Sequence, residues 1–134
     1  MIKEVFLNLD RCPTNNTRML KTFPNAIRVS AVDGKTQTAE SILPFKADTA
    51  WRDPHKGRRL TKGEVGCVLS HVKAWKLCIV LEEPLIVLED DVELLNVNYQ
   101  NLVQKYSNYD FLYLGYKDMQ GECDIINEHL KTPK

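Results

Sequence analysis

Pro84 constrains this chain more than any other residue. Before it, "LTKGEVGCVLSHVKAWKLCIVL" (60–81) places Val65, Val68, Leu69, Val72, Trp75 and Ile79 at three- and four-residue steps. That periodicity predicts a helix with one apolar stripe, with Trp75 in the core. A proline inside a helix removes a hydrogen bond and clashes with the preceding turn, so the helix must end by about Leu81. After it, "LIVL" (85–88) is a continuous apolar run that reads as a strand covered on both faces. A long helix leading into a doubly covered strand is half of a βαβ unit, and it predicts a mostly parallel sheet flanked by helices.

The rest of the chain fits that frame. "EVFLNL" (4–9) is strand-like, "TNNTRMLKT" (14–22) reads as a short helix, and "AIRVSAV" (26–32) reads as a second strand stopped by the turn signal Asp33-Gly34. Thr61 and Glu64 have the spacing of a capping box at the start of the long helix. A shorter helix is expected over 98–106 and a fourth strand at "DFLYLGY" (110–116), whereas the last eighteen residues carry little pattern. In a parallel sheet, ligands bind at the carboxyl ends of the strands. Asn8 to Arg11, Asp33-Gly34, Glu89 to Asp91 and Gly115 to Lys117 all fall at those ends.

Glu89, Asp90 and Asp91 follow the buried strand without a spacer. Three such carboxylates repel one another unless hydrogen bonds or a cation compensate them. Mg²⁺ or Mn²⁺ is the simplest partner, because hard cations favour oxygen ligands and take one or two carboxylates beside water and phosphate oxygens. Strand alternation points Glu89 and Asp91 to one side and Asp90 to the other. A solvated acidic loop is the alternative on the triplet alone. The segment 46–62 carries six Lys or Arg residues and His55 against Asp48 and Asp53, and reads either as a solvated loop or as an anion-facing one.

Composition excludes several classes. Lys+Arg and Asp+Glu stand at 18 each, so no global field favours nucleic acid or membranes. No apolar run approaches the ~20 residues of a membrane span, and "MIKEVFLNL" lacks the features of a signal peptide. A cytoplasmic location is therefore expected. Cys12, Cys67, Cys78 and Cys123 form no C-x-x-C pair and read as free thiols, with Cys67 and Cys78 on one helix.

"LTKGEVGCVLSHVKAWK" (60–76) followed by "PLIVLEDDVEL" (84–94) resembles glycosyltransferase family 25. "VFLNLDRCPTNNTRM" (5–19), "SAVDGK" (30–35) and "YDFLYLGY" (109–116) are similar to other family segments, in the same order. The Gly-Glu-x-Gly-Cys-x-x-Ser-His stretch is the specific part. The resemblance implies an A-type glycosyltransferase fold with a Rossmann-like, nucleotide-binding half. It also implies a UDP-sugar donor such as UDP-galactose, a divalent metal (Mn²⁺ or Mg²⁺) and transfer of a hexose with inversion to a hydroxyl on a saccharide, glycoprotein or lipopolysaccharide acceptor.

By the same match, Glu89-Asp90-Asp91 stands at an Asp-x-Asp-type motif, with Asp91 and Glu89 as metal ligands. Asn8, Leu9, Arg18, Asp33 and Gly34 fall where the donor is held, and Glu64, Ser70, His71 and Asp90 join them. Glu64 and His71 share a helix face about 10.5 Å apart along the axis. Ser70 and His71 point about 100° apart, so they are not a ready nucleophile–base pair. His71 reads as a binding or structural residue, Gly63 and Gly66 as close-packing positions that a ligand could also approach.

The expected organisation is a donor-binding domain over 1–117 and a tail over 118–134, with the family's acceptor half curtailed and no residue identified as general base. A non-catalytic relative is the alternative: it would bind nucleotide-sugar alone, or need an oligomer or partner chain over an exposed sheet edge. A phosphoacceptor receiver domain is set aside. Its acidic pair closes the first strand and a later strand supplies an Asp; here the acidic strand is third and "DFLYLGY" supplies none.

Overall fold

The computed structural model describes residues 1–38, 50–94, 98–115, 123–127 and 130–133. The chain divides into two compact units, Met1–Val97 and Asn98–Lys134.

The first unit contains β1 (Lys3–Asn8), α1 (Pro13–Thr22), β2 (Ile27–Ser30), a short 3-10 turn (Gly34–Thr36), α2 (Lys62–Leu81) and β3 (Leu85–Glu89). The sheet is parallel with strand order β2-β1-β3. Val5 faces Ile27 on one side and Val87 on the other, and Leu7 faces Val29 and Glu89. This is the α/β, Rossmann-like arrangement expected from the sequence. The chain leaves β1 in one direction to form β2, then crosses back to place β3 on β1's other edge. The carboxyl ends of β1 and β3 therefore flank a switch point, where such sheets open a crevice.

The central strand explains the core. Alternation sends Val5 and Leu7 to one face, where they cluster with Ala74 of α2. Phe6 points to the opposite face and is fully buried, as is Met19 of α1. Pro13 starts α1, where its missing N–H removes no helical bond. The Thr61–Glu64 capping box at the start of α2 is present with both of its reciprocal bonds. At its other end Glu82 takes a left-handed conformation, φ 52°, two residues before Pro84.

Which face of α2 is buried differs from expectation. Gly66, Leu69, Ser70 and Ala74 turn inward. Val68 and Ile79 are exposed, and Trp75, expected in the core, is 47% exposed. The helix is apolar almost all round, so hydrophobicity alone did not pick a face. Small side chains share the inner face with Leu69, and at Gly66 the backbone comes too close to its neighbours for any side chain. A Cβ on Gly66 would lie 2.6 Å from the Val32 carbonyl oxygen, and one on Gly34 would lie 1.7 Å from that of Lys62.

The second unit contains α3 (Tyr99–Lys105), whose N-cap Asn98 side chain accepts from Asn101 N–H. It also contains β4 (Cys123–Asn127) and β5 (Leu130–Pro133), which pair antiparallel. One expectation is corrected here. Residues 110–115 form no strand; Phe111 and Tyr113 are exposed and meet edge to face with centroids 4.9 Å apart. An apolar, aromatic run has strand propensity, but a strand also needs a ladder partner, and among the described residues this one has none. The last eighteen residues, which carry little pattern in the sequence, supply β4 and β5. Those strands are short and mixed in polarity, so no clean alternation marked them.

Candidate functional site

The ladder between β1 and β3 ends at the Leu7–Glu89 pair, so the residues just beyond it decide what the rim presents. Leu7 and Glu89 lie on the α2 side. Asn8 and Asp90 follow on the opposite side, and they meet there: Asn8 Nδ2 donates to Asp90 Oδ2 at 2.6 Å and to the Cys12 carbonyl at 3.0 Å. Asn8 is 1% exposed, and its remaining oxygen accepts from Arg28 Nε at 2.9 Å. Arg28 also pairs with Asp10, whose carboxyl it holds below the ordinary range. Arg18 reaches from α1 to donate to the backbone carbonyls of Asp90 and Val92, clamping the acidic turn from outside.

On the other side of the crevice, Asp33 caps the 3-10 turn by accepting from Lys35 N–H at 3.0 Å. Arg11 donates to the same carboxylate at 2.6 Å. That guanidinium first, and then the Lys35 N–H, keeps Asp33 ionised below the ordinary range. Ser70 is buried: its Oγ accepts from Val32 N–H at 2.8 Å and donates to the Gly66 carbonyl at 2.7 Å. Ser70 thus fastens α2 to the segment that follows β2. His71 Nε2 lies 3.2 Å from Glu89 Oε1, bridging α2 to β3, and Cys67 Sγ lies 3.8 Å from the same oxygen. Burial first, and then the Glu89 charge, pushes the Cys67 thiol up, with a smaller push from Asp91.

These elements enclose a cavity of about 270 Å³ against which Leu9, Asp33, Gly34, Ser70, Glu89 and Asp90 all lie. Arg11, Lys35, Gly63 and Cys67 complete its polar and open sides. A second hollow of about 430 Å³ shares Leu9, Arg11 and Asp33 and adds Asp10 and Lys73. Together they reach the size of small-ligand sites, roughly 300–1,000 Å³.

The expected residues thus fall into groups. Leu9, Asp33, Gly34, Ser70, Glu89 and Asp90 share the cavity. Asn8 and Arg18 stand behind it and hold the acidic turn. His71 touches Glu89. Glu64 is elsewhere: it closes the capping box and pairs with Arg58 through both carboxylate oxygens, at 2.8 and 3.0 Å. That pairing first, and the Thr61 bonds next, hold Glu64 far below the ordinary carboxylate range. It also commits Arg58, one cation of the basic loop, to a structural partner; Lys46 and Asp48 lie outside the described residues. Gly66 is a packing glycine, but Gly63 has only Thr61 Oγ1, at 4.0 Å, near a would-be Cβ.

Arg28, Lys35 and Cys67 were not singled out as site residues from the sequence, and Arg11 was placed only at the strand-end rim. Arg28 had a signal, being the one charge inside an otherwise apolar strand.

Comparison with known proteins identifies the family. The model of glycosyltransferase family 25 (LPS biosynthesis protein) matches residues 2–128. The chain belongs to glycosyltransferase family 25. It is 36% identical over 132 residues to procollagen galactosyltransferase 2 of Homo sapiens, covering 87% of this chain and 21% of that protein. It is 37% identical over 134 residues to procollagen galactosyltransferase 1 of Danio rerio, covering 89% and 22%. A family 25 member of Rattus norvegicus named as probably inactive is 35% identical over 144 residues, covering 95% and 25%. The chain therefore spans about a fifth to a quarter of the length of these relatives. No solved structure gives a significant match. Among the described residues no helix is long and apolar enough to cross a membrane.

The chemistry of the acidic rim suits a hard divalent ion. The Glu89 side chain is exposed and meets His71 and Cys67, and Asp91 is exposed with no hydrogen bond or ion pair among the described residues. Asp90, by contrast, is engaged by Asn8.

Proposed function

We propose that this chain is the donor-binding part of a hexosyltransferase that takes galactose or glucose from a UDP-sugar and transfers it, with inversion, to a hydroxyl acceptor. The observation that carries the reading is the convergence of Leu9, Asp33, Glu89 and Asp90 on one cavity at the switch point of the sheet. Family membership supports it, and relatives named as galactosyltransferases point to the hexose.

Glu89 and Asp91 would hold Mn²⁺ or Mg²⁺, which supplies positive charge against the diphosphate leaving group. Arg11 and Lys35 stand at the same cavity and add cationic charge where the leaving group gathers negative charge. Gly63 leaves room for a close backbone approach at the start of α2. Asn8 and Arg18 position the turn that carries Asp90 and Asp91. Acceptors of the saccharide, glycoprotein or lipopolysaccharide type fit the family.

A second reading follows from the relative named as probably inactive, similar over 95% of this chain: nucleotide-sugar binding without transfer. Amide chemical-shift mapping with UDP and Mg²⁺ tests what both readings share. Shifts concentrated at Leu9, Asp33, Lys35, Gly63 and Glu89 are expected. Shifts absent there, or centred on α1, would remove both. Release of UDP from UDP-galactose in the presence of an acceptor then separates transfer from binding.

A further inference from the structure

Cys67, His71 and Glu89 each bring one ligand atom to a common point, and these atoms all lie within 4.8 Å of one another. Cys67 and His71 are four residues apart on α2, so they share a helix face one turn apart. Glu89 comes from the end of β3, on the side of the sheet that α2 covers. A tetrahedral ion with ligands at about 2.0–2.3 Å holds neighbouring ligand atoms roughly 3.3–3.6 Å apart. The Nε2–Oε1 separation is 3.2 Å and the Sγ–Oε1 separation is 3.8 Å. Two of the three edges thus already stand near that geometry, and small side-chain rotations complete it. Cys67 and Glu89 are both accessible, so an ion has a path in.

We infer that Cys67, His71 and Glu89 form a three-ligand site for a borderline transition ion of the Zn²⁺ class, with a fourth position open to water. A thiolate and an imidazole are poor ligands for Mg²⁺ or Mn²⁺ and good ones for Zn²⁺. The site is therefore chemically distinct from a pair of carboxylates. On binding, the thiol gives its proton to solvent and the sulfur donates to the ion. Glu89 belongs to both ligand sets, so a Zn²⁺-class ion withdraws it from Asp91. That consequence, unlike the site itself, rests on the donor-binding reading.

Titration of the reduced full chain with Co²⁺ tests the site. A thiolate-to-cobalt charge-transfer band in the near ultraviolet is expected to saturate at one equivalent and to collapse when Zn²⁺ is added. Cys67→Ser abolishes it, His71→Ala weakens binding about tenfold or more, and Cys78→Ser, whose thiol donates to the Glu83 carbonyl, leaves it intact. A folded wild-type chain without the band, or a band that survives Cys67→Ser, overturns the proposal. A measurement on the wild type alone guards against a misfolded variant: Zn²⁺ should slow alkylation of Cys67 at least tenfold while sparing Cys78, and unchanged Cys67 alkylation overturns it equally. Neither assay uses nucleotide, so loss of this site and loss of the donor reading are told apart.

Discussion

Asn8 and Asp90 sit 82 residues apart in sequence and are joined by a 2.6 Å hydrogen bond at the carboxyl rim of the sheet. The Asn8 amide is buried and fully engaged, with Arg28 on its oxygen and Asp90 and Cys12 on its nitrogen. It fixes the start of the acidic turn to the central strand.

Asn8→Ala should therefore cost about 1–3 kcal/mol of stability, because it strands buried polar partners. Asn8→Asp should cost at least as much, since it sets a second carboxylate against Asp90. Urea unfolding of both variants checks this; a cost below 0.5 kcal/mol for either, on the scale of neutral surface changes, would mean the turn is held by other contacts.

The three glycines at the start of α2 and the facing turn should respond differently to alanine. Gly34→Ala and Gly66→Ala drive a Cβ into backbone at 1.7 and 2.6 Å, and each is expected to cost about 1–3 kcal/mol or more. Gly63→Ala meets nothing closer than 4.0 Å and should be neutral or stabilising by up to about 1 kcal/mol, as alanine is the better helix former. Thermal melts of the three variants separate packing from open space. If Gly63 faces the donor, its variant should be stable yet weaker in UDP binding.

Glu64 sets a pH dependence. Arg58 and the Thr61 bonds hold its folded pKa well below the ordinary value of 4.5. The unfolded chain therefore takes up this proton at higher pH than the folded one. The stabilisation is fully present above about pH 4.5 and is lost as pH falls below it toward the folded pKa. Urea midpoints for wild type and Glu64→Gln should differ near neutrality and converge on acidification. A gap that stays constant with pH would show that the carboxylate charge is not what matters.

How much of this was legible in the sequence depends on the kind of signal. Pro84, the capping box and the apolar run after Pro84 fixed α2 and β3, because helix termination and capping are local chemistry. The acidic rim was legible because three adjacent carboxylates repel one another and so stand out along the chain. The buried face of α2 was not: Val68, Trp75 and Ile79 are as apolar as the residues that pack, and the choice fell to backbone proximity at Gly66, a tertiary property. Strand propensity at 110–116 likewise could not reveal whether a partner strand lies beside it. The Cys67–His71–Glu89 group was hidden for a related reason, since one of its members arrives from the next strand.

The proposed metal-assisted nucleotide-sugar site at Glu89 and Asp91 is tested most directly by calorimetric titration of UDP and UDP-galactose with Mn²⁺, on wild type and Asp91→Ala. Binding that requires Mn²⁺ and weakens tenfold or more in Asp91→Ala is the predicted result. A folded wild-type chain that binds neither ligand, or binds equally well without metal and without Asp91, would contradict it.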